Sequence, residues 1–323
     1  MKTDKPLISI AMAVYEPRID WLREQLASLN AQTYPNLELN IRDDCSPAVP
    51  FDTVCKLAAE CITAFPYTIE RNENNLGSNG TFERLTGEAK GEYIAYCDQD
   101  DVWLPEKIST LYDAIVDQGA ALVCSDMYVM DGDGKITADS ITQVRRNQVF
   151  HSGDKLAEKL IPCNWVTGCA MMLPTEIAKS AMPFCPFMVH DHYLALFCAL
   201  RGIILCLPER LIKYRIHTAN QTLMFAGVHD KKSYVELYVS QVLRRLRWLQ
   251  ERFAGESSIT KPLADMAAWL TAREKNLTGR GGQLGVWKYR SFGLTTALFE
   301  LAVPLMPECV FMWLVEKKRE NKI

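Results

Sequence analysis

Two hydrophobic rhythms alternate along the first half of this chain, and together they predict its architecture. Residues 7–14, 37–42, 67–71, 93–97 and 121–129 form short apolar runs bounded by turn-forming residues, the pattern of strands. Between them, residues 21–32, 53–65, 80–89 and 106–118 carry apolar side chains at the three-to-four spacing of helices. Such alternation predicts an α/β fold, with a mainly parallel sheet and helices on both faces. The middle is less regular. Asp131-Gly132-Asp133-Gly134 reads as a hairpin turn, because its Asp-x-Asp spacing lacks the other ligands of a calcium loop. Further strands are expected at 169–173, 203–207 and 211–216, and the chain reads as helical from Ser233 onward. The pattern divides the chain into an α/β domain, 1–225, and a helical C-terminal region, 226–323.

That region has a pattern of its own. Residues 292–315 are strongly apolar, but Glu300 and Glu308 interrupt them and Pro304 and Pro307 break the helix. No stretch reaches the roughly 18 uninterrupted apolar residues of a membrane-spanning helix. Lys288 and Arg290 precede the run, and Lys317, Lys318, Arg319 and Lys322 follow it. Two readings stay open: a peripheral contact with the cytoplasmic face of the inner membrane, or a helical hairpin packed on the main domain.

Composition narrows the picture only slightly. The 323 residues are 48% apolar and carry a net charge of -3, which gives no general attraction to nucleic acid. Eleven cysteines include no Cys-x-x-Cys pair, and several, such as Cys97, Cys124, Cys169 and Cys206, lie in apolar runs, so buried free thiols in a reducing compartment are expected. The N-terminus lacks a signal-peptide pattern, so the expected location is cytoplasmic and the sequons at Asn79, Asn220 and Asn276 read as incidental.

The chemistry gathers where strands end. Ala13-Val14-Tyr15-Glu16, Asp43-Asp44-Cys45-Ser46, Arg71-Asn72 and Asp98-Gln99-Asp100-Asp101 each follow an apolar run. Open α/β sheets bind ligands beyond the carboxyl ends of their strands. Three carboxylates within four residues repel one another, and only a cation or hydrogen-bond donors offset that cost. A divalent ion, and through it a phosphorylated ligand, is the expectation.

Residues 9–16, Asp43-Asp44-Cys45-Ser46, Asn74-Asn75-Leu76-Gly77, Ala89-Lys90-Gly91-Glu92-Tyr93-Ile94 and Asp98-Gln99-Asp100-Asp101 resemble, in order and spacing, the motifs of family 2 glycosyltransferases. Asn75-Leu76-Gly77-Ser78-Asn79-Gly80 and His190-Asp191-His192-Tyr193 look most like the rhamnosyltransferase-type branch of bacterial surface-polysaccharide synthesis. The resemblance implies a GT-A (Rossmann-like) fold and a metal-dependent, inverting transferase. Its expected donor is a UDP- or dTDP-linked hexose or 6-deoxyhexose, rhamnose included, and its acceptor a hydroxyl of a growing lipid-linked glycan. A divalent metal, Mn or Mg, would bridge carboxylate and diphosphate oxygens.

Roles follow residue by residue. In the Asp-x-Asp motif Asp98 is expected on the ribose side and Asp100 on the metal. Asp101 reads as a second ligand or as the cap of a helix starting near Pro105. Asp43 or Asp44 is expected to meet the base, the resemblance favouring Asp43. Val14 and Tyr15 would line the base pocket and Glu16 reach the ribose, with Arg71 and Asn79 also on the nucleotide-sugar side. Asp191 is expected to be the catalytic base, since an inverting single displacement needs one carboxylate to deprotonate the acceptor. Trp165, Thr167, Gly168 and His190 are expected on the acceptor side. In Tyr214-Arg215-Ile216-His217-Thr218-Ala219-Asn220, His217 would complete the metal's ligands and Arg215 neutralise phosphate charge.

Other classes fit less well. No Gly-x-Gly-x-x-Gly follows the first strand and no P-loop is present. A phosphohydrolase with an aspartyl nucleophile would carry Asp-x-Asp after its first strand. A nucleotidyltransferase acting on sugar phosphates would need a glycine-rich basic loop near residues 13–18. A catalytically inactive membrane-associated scaffold remains the non-enzymatic alternative, against which the intact set Asp43, Asp98, Asp100 and Asp191 speaks.

Overall fold

Residues 5–145, 148–217 and 227–319 are described by the structure, a computed structural model. Its strands are β1 (Ile8–Val14), β2 (Leu37–Asp43), β3 (Tyr67–Arg71), β4 (Tyr93–Cys97), β5 (Val102–Trp103), β6 (Leu122–Met130), β7 (Ile136–Ala138), β8 (Met171–Pro174) and β9 (Ile204–Arg215). The helices of the first unit are α1 (Ile19–Asn30), α2 (Phe51–Cys61), α3 (Gly77–Glu88), α4 (Lys107–Gln118), α5 (Ile141–Val144), α6 (Ala157–Leu160), α7 (Thr175–Ser180) and α8 (His190–Ala199). All nine strands join one sheet in the order β3-β2-β1-β4-β8-β6-β9-β5, with β7 paired to β6.

The run β3-β2-β1-β4 is parallel, and β6 and β9 form a further parallel pair; β8 joins the two parts by antiparallel pairing with both β4 and β6. Register does the work that matters for function. Val14 pairs with Asp43, Asp43 with Arg71, and Met12 with Cys97, so the strands of the parallel half end together. The loops after them therefore emerge along one edge. The strands are apolar because helices cover the sheet: β1 and β2 are almost entirely buried, and α1 turns Leu22, Leu26 and Leu29 into the same core.

Three local expectations change. The strands expected at 203–207 and 211–216 are one strand, β9, whose register against β6 shifts near Ser125 and Asp126. The strand expected at 169–173 starts later, because Gly168–Ala170 forms a single 3₁₀ turn. Asp101 does not cap α4: the capping position is Glu106, which makes no side-chain cap. The hairpin turn is present, with Asp131 Oδ1 accepting from the backbone of Asp133 and Lys135, each at 3.0 Å.

The chain separates into two compact units, Met1–Phe184 with Met188–His217, and Cys185–Phe187 with Thr218–Ile323. The boundary expected at residue 225 lies outside the described residues. The second unit contains α9 (Lys231–Val235), a π-helical turn, α10 (Gln241–Arg252), α11 (Ser257–Leu277), α12 (Gln283–Lys288), α13 (Leu294–Ala302) and α14 (Glu308–Arg319). Within it Glu300 is fully buried and satisfied: Arg273 donates at 2.5 and 2.6 Å and Tyr234 at 2.6 Å. Among the described residues no helix is long and apolar enough to cross a membrane. All eleven cysteines are free.

Candidate active site

Four strand ends are tied to one another by side chains. Gln99 clamps the turn after β1, accepting from Tyr15 N–H at 2.8 Å and donating to Tyr15 C=O at 2.9 Å. The ends of β1 and β4 are thus held as if one ladder step longer. After β2, Asp43 is fully buried; Ser46 N–H and Arg71 Nε reach its Oδ2 at 3.2 Å each, and Ser46 Oγ–H reaches Oδ1 at 2.5 Å. Asp44 Oδ1 accepts from Asn72 and from Leu76 N–H at 2.8 and 2.7 Å, while Oδ2 takes none of the described hydrogen bonds. Glu16 and Cys45, the residues that turn the chain after β1 and β2, sit at φ 45 and 61. Left-handed backbone is costly for side chains other than glycine's, and such strain concentrates at functional sites.

The acidic stretch after β4 lies at the centre. Asp100 Oδ2 and His217 Nε2 are 2.7 Å apart, each side chain about one-fifth exposed. Asp101 is fully buried, with Oδ1 accepting from Arg215 N–H at 2.9 Å and Oδ2 left without a partner. Burial, then the charges of Asp100 and Asp98, lift it well above the usual carboxylate range. Asp98 is half-buried and pushed up to about 7, by desolvation first and then by Asp100 and Asp191. The charge of Asp191 therefore reaches the corner.

A lysine inside the protein offsets a small part of this crowding. Lys107, in the first turn of α4, is fully buried. Its ammonium donates to Cys169 C=O at 2.5 Å and lies 3.1 Å from the centroid of the Trp103 ring. Burial pulls it down to about 7, while Asp101 and Asp98 work to keep it charged. Sequence reading missed Lys107 because it occupies a position on the inner face of an amphipathic helix, beside Ile108 and Leu111. A lysine on that face was the available signal.

Asp191 stands in the first turn of α8, where the helix dipole favours an anion. Its Oδ2 accepts from Gly168 N–H at 3.0 Å, and its Oδ1 from Asn164 at 3.1 Å and His192 N–H at 2.5 Å. Desolvation still raises it to about 6, against these donors. Asp191 is therefore more than a helix cap, since it holds the loop from Asn164 to Gly168 as well. Gly168 is required there: a Cβ would lie 2.7 Å from His190 Nε2. Thr167 is half-buried at the start of the same turn.

Several expected contacts are placed differently. Arg215 is 1% exposed, and its guanidinium is engaged by Asp100 C=O at 2.7 Å, Glu24 at 2.5 Å and the Asp131–Gly132 carbonyls. It braces the acidic turn from beneath rather than facing a diphosphate. Glu16 accepts from Ala48 and Val49 N–H at 2.7 and 3.3 Å, so its carboxylate closes the loop before α2 instead of reaching outward. Val14 belongs to the core, and Tyr15, 46% exposed, is the one of the pair open to solvent. Trp165 is buried against His151, which removes the ring from stacking on a sugar. His190 packs between Phe82 and Tyr96, and burial drives it down to about 3, so it is a neutral wall. Asn79 donates to Met188 C=O at 2.5 Å, fastening α3 to the approach to α8. Arg71 donates to Ser46 C=O at 2.6 Å as well as pairing with Asp43. Thr218, Ala219 and Asn220 lie outside the described residues.

Two groups of potential metal donors occur here, and their chemistry differs. Asp98, Asp101 and Cys169 have donor atoms within 4.8 Å of one another. Yet burial holds the Cys169 thiol protonated and the Lys107 ammonium is adjacent, a poor setting for a hard dication. Asp100 and His217 pair a carboxylate oxygen with an imidazole nitrogen and keep some exposure, which suits a divalent ion better.

Comparison with known proteins agrees with this geometry. The model of Glycosyl transferase family 2 matches residues 9–177. An uncharacterised glycosyltransferase of Nostoc sp. is 27% identical over 223 residues; the match covers 66% of this chain and 66% of the relative. The structure of S. aureus TarS 1-349 in complex with UDP-GlcNAc superposes with a TM-score of 0.58 at 13% identity, covering 98% of this chain and 90% of that one. The mannosyltransferase PcManGT of Pyrobaculum calidifontis, in complex with GDP-Man and Mn²⁺, gives 0.56 at 14% identity over 94% and 80%. The fold these share is GT-A. With the family model spanning more than half of the 323 residues, this chain belongs to glycosyl transferase family 2.

Proposed function

We propose that the protein is an inverting glycosyltransferase that moves a hexose or 6-deoxyhexose from a UDP- or dTDP-sugar to a hydroxyl of a growing, lipid-linked surface glycan. One observation carries the reading: a half-buried carboxylate, Asp191, is held by Gly168 N–H and Asn164 within electrostatic reach of the acidic turn that follows β4. On this reading donor and base lie on opposite sides of one reaction centre. Asp191 takes the acceptor's hydroxyl proton, the oxygen bonds to the anomeric carbon, and the bond to the diphosphate oxygen breaks on the far face. Gly168 N–H and the Asn164 amide hold Asp191 in place for that transfer.

Asp100 and His217 are the residues that would hold a divalent ion. When bound, such an ion neutralises charge on the leaving diphosphate. Asp98 faces the ribose side. For the base, Asp44 fits better than Asp43, because both Asp43 oxygens are already bonded and Asp44 Oδ2 is not. A uracil or thymine ring N–H is the complementary donor. The UDP-GlcNAc bound by TarS supports a uridine donor, and the branch-like motifs support including dTDP-rhamnose in the test.

A screen of nucleotide sugars against the purified protein, with Mn²⁺ or with EDTA, tests the reading. Nucleoside diphosphate should be released from one donor class only in the presence of metal. Release that persists under EDTA and in Asp100→Asn would remove the metal from the scheme.

A further inference from the structure

α13 reverses the usual polarity of a surface helix. Its inward positions are Ala297 and Glu300, both fully buried, and Glu300 is neutralised by Arg273. Its outward positions include Leu294 and Leu298, one turn apart and 54% and 53% exposed. A helix that met only water on its outer side would place these groups the other way round.

The inversion extends beyond one helix. Half of the exposed large apolar side chains among the described residues fall between Leu284 and Trp313, with Leu284 at 88%, Trp287 at 47% and Leu305 at 89%. Elsewhere such residues are scattered. Along α12 and α13, from Thr278 to Pro307, the exposed charged residues are the basic Arg280, Lys288 and Arg290, and exposed acids return only on α14 with Glu308 and Glu316. The single acid in that span is the buried Glu300. Arg290 also stands 4.7 Å from the Trp287 ring, a basic group beside an amphipathic aromatic. The chain as a whole carries -3, so this concentration does not follow from overall composition.

We propose that the outer side of α12, α13 and the turn between them docks on an anionic lipid surface, lying in the interface without crossing it. Leucines enter the acyl boundary, Trp287 sits at headgroup depth, and Lys288 and Arg290 meet lipid phosphates. A protein partner would fit the apolar side chains equally well. The basic residues flanking α12 and α13 favour a dense anionic plane, and the absence of a spanning helix among the described residues agrees with a contact that stays at the surface.

Flotation of the full chain with vesicles tests the proposal without any sugar transfer, so its failure is separate from failure of the transferase reading. The chain should float with phosphatidylcholine–phosphatidylglycerol vesicles, release with added salt, and stay behind with phosphatidylcholine alone. Lys288→Glu with Arg290→Glu should lower partitioning about tenfold or more. Leu294→Asp with Leu298→Asp should abolish it while the thermal midpoint holds, since both positions are exposed. Should either variant fold poorly, brominated acyl chains added to the unmodified protein should still quench tryptophan fluorescence. No flotation, equal flotation on neutral vesicles, or partitioning unchanged by both variants overturns the proposal. A concentration-dependent dimer that Leu294→Asp/Leu298→Asp dissolves, without vesicle binding, overturns it in favour of a second copy.

Discussion

Glu300 and Asp101 are both fully buried carboxylates, and the regions around them treat the charge in opposite ways. Around Glu300 the accounts close: a two-pronged arginine and a tyrosine satisfy both oxygens. Around Asp101 they do not. One oxygen has no partner, Asp98 and Asp101 are pushed toward neutrality, and the nearby Lys107 is pulled down to about 7. A closed network of buried charge fixes a helix packing; an open one keeps unused electrostatic capacity for something that arrives. The difference separates a closed structural network from the proposed active site better than burial does.

The comparison can be broken most sharply at Asp191, whose own oxygens are bonded but whose charge reaches the open region. Asp191→Asn should cut kcat about 10²–10⁴-fold while calorimetric donor affinity stays within twofold or so. Near-normal turnover would mean that the proton leaves by another route.

A contrast in stability comes next. Arg273→Leu leaves Glu300 buried and unpaired, so urea unfolding should report a loss of about 3–5 kcal/mol. Lys107→Met removes one charged hydrogen bond from a region already under electrostatic tension, and should cost about 1.5–3 kcal/mol. Its larger consequence should be in turnover, because Cys169 C=O anchors the 3₁₀ turn whose Gly168 N–H holds Asp191. Equal stability losses for the two variants would erase the distinction between closed and open.

The smallest effect is in pH. As the proposed base, Asp191 would act only when ionised, and burial raises it to about 6, so kcat should fall about tenfold per pH unit below that value. The same shift has a signed effect on stability. A carboxyl group with a raised folded-state pKa binds its proton more tightly in the folded chain, so its stabilisation is complete below the ordinary 3.8 and is lost as pH rises through about 6. Thermal midpoints should therefore show Asp191→Asn gaining on the parent at pH 7 and not at pH 4.

Particular residues show how far the sequence could be read. The βα alternation and the four polar strand ends were legible, because periodicity and burial share one cause. The resemblance named Asp100 and His217, and the two lie side by side although 117 positions separate them. Arg215, Glu16 and Trp165 have partners that the sequence did not announce. Each is a residue type that binds ligands well, and each is equally able to satisfy a neighbouring loop; only neighbours remote in sequence decide which. Gln99 went unread between two acids that attracted attention. Lys107 and Asn164 carry no motif.

By itself, then, the sequence determined the order of elements, the strand ends where chemistry gathers and the family to which they belong. Local pattern encodes those things, since side-chain period follows directly from backbone geometry. Tertiary structure decided which charges are open. It put Lys107 beneath the acids, spent the Arg215 guanidinium on Glu24 and backbone carbonyls, and gave Asp191 its raised pKa. Desolvation and partner geometry set those outcomes, and both depend on groups brought together only when the sheet is formed.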